Sequence, residues 1–197
     1  MDKLDIIGYA LILLILIVTC KMFYESENFN LRCIVSDVDG KKYCVRETER
    51  KQETANLLAR ITAKLSKLVD ATYSKHPDKD SVKRLKAQYK SDKINETLPT
   101  SKYTAYSENK GEKLAFCTTV DKNGTEPIDE NTLTFVGIHE LSHIMSEKIG
   151  HGDEFWGNFK FLLKIAAEEK LYNPVDYGKK SVTYCSMKIT DNPFFDY

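Results

Sequence analysis

The chain has 197 residues, 29 basic and 29 acidic side chains, no formal net charge and 42% hydrophobic residues. Removing Lys3, Lys21, Asp2 and Asp5 leaves 27 charges of each sign, which excludes a chain that holds nucleic acid through its overall charge. The length admits one domain of roughly 170 residues after a leading apolar segment, enough to bury about 70% of its unfolded surface.

That segment comes first. Ile6 to Cys20 is uncharged and apolar, and Met22, Phe23 and Tyr24 extend it past Lys21. Fifteen residues rise about 22 Å as a helix against a hydrocarbon core of about 30 Å. A snorkelling Lys21 with Phe23 and Tyr24 at the interface lengthens the span enough for a single-pass anchor over residues 1–24. A cleaved signal peptide is the rival reading, although the leader lacks positive bias and no small-x-small cleavage site follows. Lys3 and the terminal amine on one side nearly balance Lys21 and Arg32 on the other, so charge leaves the orientation open.

Residues 25–197 are expected to form one α+β domain with a small antiparallel sheet packed on helices. Leu31 to Arg46 alternates around Asp39-Gly40 and predicts a hairpin, with Cys33 and Cys44 placed to pair across it. Cys117 and Cys185 complete an even set compatible with two disulfides. Glu47 to Lys75 predicts a long amphipathic helix through Leu58, Ile61, Leu65, Leu68 and Val69, and Ser81 to Tyr89 a shorter charged one. Lys83, Arg84, Lys86, Lys90 and Lys93 form a basic cluster that reads as a solvated face. Lys102–Tyr106 and Lys113–Val120 predict strands joined around Asn109-Lys110-Gly111. Asn95-Glu96-Thr97 and Asn123-Gly124-Thr125 are glycosylation acceptors if the domain is lumenal, though ten asparagines yield about one such match by chance.

The chemistry lies further on. Asp129 predicts an N-cap for a helix whose apolar face includes Phe135, Ile138, Leu141, Ile144, Met145 and Ile149. On it, His139 and His143 stand four residues apart and aim at one point, with Glu140 one step round the helix. Gly150 suits a left-handed helix end that swings His151 back toward the pair. Asp153 then caps a second helix to about Leu171, with Phe155, Trp156, Phe159, Leu162, Leu163 and Ala166 inward, or accepts a hydrogen bond from a ligand imidazole. A hydrolytic zinc site needs three protein ligands and one open position. His139, His143 and His151 supply the three, with Glu168 or Glu169 as the competing third ligand. Glu140 is the candidate general base for a water attacking a peptide carbonyl. Tyr177 and Tyr184 are tyrosines of the tail, and spacing alone does not choose one to stabilise an oxyanion. His76 reads as solvated.

His139, Glu140, His143, His151, Gly152 and Phe155 follow the pattern His-Glu-x-x-His, short turn, His-Gly-x-x-Phe, which resembles the WLM and SprT-like zincin metalloproteases. The stretch from about Asp37 onward is similar to membrane-anchored WLM-like peptidases of large DNA viruses, through Asp37-Val38-Asp39-Gly40, Ala55 to Arg60, Gly111-Glu112-Lys113 and Tyr184-Cys185. The resemblance implies a zincin-like fold, one zinc ion on the three histidines, Glu140 as catalytic base and a protein or peptide substrate. The balanced charge argues against carrying over the DNA-repair role of nuclear members. The expectation is a membrane-anchored zinc endopeptidase; the alternative is a tethered binding or assembly module with a structural zinc.

Overall fold

The computed structural model describes residues 3–24 and 31–196. The predicted boundary after residue 24 and the side chain of Tyr24 lie outside the described residues. Helix α1 (Lys3–Tyr24) contains a 19-residue stretch, Asp5–Phe23, of mean hydropathy 2.5 with none of it buried. By length and composition it can cross a membrane, and a signal sequence would meet the same criterion.

The rest is a mixed α+β domain. β1 (Leu31–Val35) and β2 (Lys42–Arg46) form the predicted hairpin, with Gly40 at φ +70° and Cys33 directly opposite Cys44, to which it is disulfide-bonded. Next come α2 (Lys51–Lys75) and α3 (Asp80–Gln88), then β3 (Ile94–Glu96), β4 (Ala105–Glu108) and β5 (Lys113–Phe116). These three strands lie in the order β3-β5-β4, with β4 antiparallel and β3 parallel to β5. The sheet is therefore mixed, not antiparallel as expected. A short strand read from the sequence as a sequon joins it by a long crossover. Helices α4 (Glu130–Met145) and α5 (Asp153–Glu168) precede a tail hairpin of β6 (Val182–Tyr184) and β7 (Met187–Ile189).

The core forms where α2 packs on α4 and α5 while the sheet packs on α4. Leu58, Ile61 and Leu65 from α2 meet Leu133, Ile138, Leu141 and Ile144 from α4, with Phe159, Leu162 and Leu163 from α5. Each such side chain taken fully from water contributes about 1.5–3 kcal/mol. Gly137 lets α2 come close, since a Cβ there would stand 3.0 Å from both Leu65 methyls. On the far side of the sheet, Glu96 accepts hydrogen bonds from the Arg46 backbone N–H (2.7 Å) and the Thr118 hydroxyl (2.6 Å), while the Arg46 guanidinium donates to the Thr97 and Lys122 carbonyls. This buried pair fastens β2 to β3. Burial lifts the Glu96 carboxyl and lowers the Arg46 guanidinium, each partly offset by the other's charge.

Candidate metal centre

From Thr132 through Ser146, His139 and His143 alone break an otherwise buried run of α4, so the helix is inserted in the core with one window open. Asp129 caps it as predicted, its carboxylate accepting from the Thr132 N–H at 2.9 Å. The other end departs from expectation. The helix stops at Met145, Ser146 is extended, and Ile149, assigned to the apolar face, is 94% exposed. Tertiary bonds take the last turn apart. Arg84 donates to the Met145 carbonyl at 2.7 Å, and Lys110 donates to the carbonyls of Ser146 and Glu147. Cations at these carbonyls also match the negative end of the helix dipole.

The freed segment is then held from the other side. The Glu154 carboxylate accepts from the backbone N–H groups of Glu147 (2.8 Å) and Lys148 (3.2 Å), which keeps its carboxyl below the usual range. Asn158 donates to the Ser146 hydroxyl at 2.9 Å, and that hydroxyl donates to the Ser142 carbonyl. Gly150 has the predicted left-handed backbone, φ +96°, and turns the chain so that His151 meets α4. Gly152, not Asp153, is the N-cap of α5; Asp153 is its first residue and makes no hydrogen bond to an imidazole among the described residues.

The three predicted histidines converge. His139 Nε2 lies 3.2 Å from His143 Nε2 and 3.1 Å from His151 Nε2. One ring proton cannot satisfy both contacts, whereas a cation between facing lone pairs satisfies all three. A tetrahedral ion with nitrogens 2.0–2.1 Å away spaces its donors roughly 3.3–3.4 Å apart, close to both His139 spacings, and all three donor atoms lie within 4.8 Å of one another, so the trio could hold a metal ion. The competing carboxylates are elsewhere, Glu168 and Glu169 both pairing with Lys75 at 3.1 and 2.9 Å. Phe155 forms a common floor, its ring centroid 4.8, 4.4 and 4.6 Å from those of His139, His143 and His151. Trp156, expected inside, is 41% exposed at the rim beside His151.

Burial, then the charges of His143 and His151, press the His139 imidazole down to about 3, and burial with His151 takes His143 to about 4. Both rings are thus neutral, the form that ligates. Glu140 is 4% exposed, and burial pushes its carboxyl up to about 8. It lines, with the three histidines, a groove of about 840 Å³ whose opposite wall is β4 and its flanks, including Tyr103, Tyr106 and Lys110. β4 is an outer strand of its sheet, paired with β5 on one side.

Tyr184 is the tail tyrosine near this centre. Its buried hydroxyl donates to the Thr104 carbonyl at 3.2 Å, and burial first, then the Glu140 charge, raises its phenol. Tyr177 instead packs edge-on against Phe135 in the core. The Cys117–Cys185 disulfide fixes the tail hairpin to the exit of β5. Arg84, Lys110 and Glu154 were not singled out for this centre by their sequence context. Arg84 looked like one more member of a basic cluster, of which Lys83 and Lys86 are indeed solvated partners of Asp80 and Asp70.

The chain is 27% identical over 187 residues to an uncharacterized protein of Acanthamoeba polyphaga mimivirus, covering 92% of this chain and 94% of the relative. It is 36% identical over 83 residues to an uncharacterized protein of invertebrate iridescent virus 3, covering 42% of this chain and 50% of that relative. Both relatives are viral proteins. No protein-family model matches the chain, and no solved structure does.

Proposed function

We propose that the chain is a zinc-dependent endopeptidase held at a membrane by α1, with His139, His143 and His151 as ligands and Glu140 as general base. The supporting observation is the convergence of three imidazole nitrogens next to the buried Glu140 carboxyl on the wall of an open groove. When bound, zinc would lower the pKa of a water in its fourth position toward 7 and polarise a carbonyl.

The protein's own groups do the rest. Glu140, adjoining the ligand set without belonging to it, takes a proton from the attacking water and delivers it to the leaving amine. The edge of β4 away from β5 gives an extended substrate a place to add as a further strand and cross the groove in front of Glu140. Phe155 keeps bulk water from the inner side of the imidazoles. The viral relatives fit the resemblance to membrane-anchored WLM-like peptidases of large DNA viruses, and the zincin-like fold is part of the same proposal.

The test uses the whole chain in detergent micelles. It should bind one zinc, and Glu140→Gln should retain the metal while cleavage of an unfolded protein falls at least about 100-fold. His143→Ala should lose both. Equal cleavage by the Glu140→Gln and unsubstituted chains refutes the mechanism and leaves the structural-zinc module as the better account.

A further inference from the structure

All four cysteines of the described domain are in disulfides, Cys33 with Cys44 and Cys117 with Cys185, while Cys20 in α1 is free. Disulfides persist in compartments where glutathione and thioredoxin do not keep thiols reduced, the secretory lumen and cell exterior among them. The same domain carries two Asn-x-Thr triplets, and the fold treats them differently.

Asn95 is the middle residue of β3, in register with Ala115, and its Oδ1 accepts from the Cys44 N–H of β2 at 3.3 Å. Its neighbours Ile94 and Glu96 are buried. A sugar on this amide would have to fit between two packed strands. Asn123 stands at the tip of a loop that leaves at Thr119 and returns at Pro127, which pair as an antiparallel bridge. The Val120 N–H donates to the Glu126 carbonyl and the Gly124 N–H to the Asp121 carbonyl, both at 2.9 Å, so the loop is closed below its tip. Asn123 and Thr125 are exposed, and the Asn123 amide makes no hydrogen bond among the described residues.

We propose that Asn123 is an N-glycan acceptor and that the domain lies on the lumenal side of the membrane crossed by α1, with the amino terminus on the cytosolic side. The transfer joins Asn123 Nδ2 to the anomeric carbon of a lipid-diphosphate oligosaccharide, breaks the anomeric C–O bond, and releases the lipid diphosphate and one amide proton. Orientation, which flanking charges leave balanced, is then set by two independent chemical marks, paired thiols and an accessible acceptor. The proposal stands apart from the peptidase reading, since neither mark involves the histidines.

The experiment is synthesis of the full chain with endoplasmic-reticulum microsomes, followed by gel analysis of the membrane-extracted, disulfide-bonded fraction. One endoglycosidase-sensitive step is expected, lost in Asn123→Gln and in Thr125→Ala and kept in Asn95→Gln. A thiol-reactive polymer should label one cysteine before reduction and all five after it. A disulfide-bonded chain with no endoglycosidase-sensitive step overturns the proposal, as does a step that survives Asn123→Gln.

Discussion

Replacing Gly137 by Ala sets two opposed effects against each other at the contact that seats the helix carrying His139 and His143. A helix-interior alanine is favoured over glycine by about 1 kcal/mol. Against that, the new Cβ would lie 3.0 Å from both Leu65 methyls and 3.4 Å from Cγ, where carbon contacts are ordinarily about 3.5–4.0 Å. Leu65 is fully buried among core side chains, so it must shift by a few tenths of an ångström against its neighbours. Overpacking of this kind costs about 1–3 kcal/mol, so Gly137→Ala should destabilise the protein by about 1 kcal/mol net. Leu65→Ala alone should cost about 2–5 kcal/mol. Combined, the alanine at 137 fills part of the vacated volume, and the pair should cost at least about 1 kcal/mol less than the sum. Urea unfolding of the detergent-solubilised chain and its variants measures all four corners of the cycle. A stabilised Gly137→Ala, or strict additivity in the double variant, would refute the argument that close approach to Leu65 is what demands glycine two residues before His139.

Glu154→Ala removes the acceptor of two backbone N–H groups in the turn that carries His151, and zinc affinity should fall about 10–100-fold, read by chelator competition; unchanged affinity would show that Gly150 and Phe155 suffice to position the ring. Asp129→Ala should cost about 1 kcal/mol of stability through loss of the N-cap, with Asp129→Asn largely retaining it, both measured by thermal unfolding. In the metal-stripped chain, His139 near 3 and His143 near 4 bind protons less readily than unfolded imidazoles near 6.5, so stability should drop as pH falls below about 6.5. Glu140 near 8 acts with the opposite sign, holding a proton that the unfolded carboxyl releases above about 4.3, so stability should also drop as pH rises toward 8. Two imidazoles against one carboxyl place the maximum thermal midpoint near pH 6.5, and Glu140→Gln should remove the alkaline decline; a midpoint flat from pH 5 to 8 in both would contradict these shifts.

The centre was legible because its information is local. His139 and His143 share a helix face by spacing, Gly150 marks the turn, and Asp129 marks the helix start; each follows from chemistry within a few residues. What could not be read depends on contacts distant in sequence. The helix end moved from Ile149 to Met145 because Arg84 and Lys110, 61 and 36 residues away from the carbonyls they engage, take its final turn. β3 is three residues long and pairs in parallel with a strand nearly twenty positions later, so it shows no alternation long enough to register. The tail hairpin turns at Cys185 and Ser186 with φ +50° and +64°, a left-handed pair that sequence reasoning expects of glycine or asparagine. The disulfide at Cys185 and the docking of Ser186 on Val120 hold that turn where residue preference does not.

The bond between Cys117 and Cys185 links positions 68 residues apart, and the stretch it closes contains both α4 and α5 and all three imidazoles. By chain-entropy reasoning such a closure is worth about 4 kcal/mol against the unfolded chain. That closure holds with or without an ion on the histidines: chelation should leave a folded, refillable vessel, and a reductant together with a chelator should be needed to dismantle it.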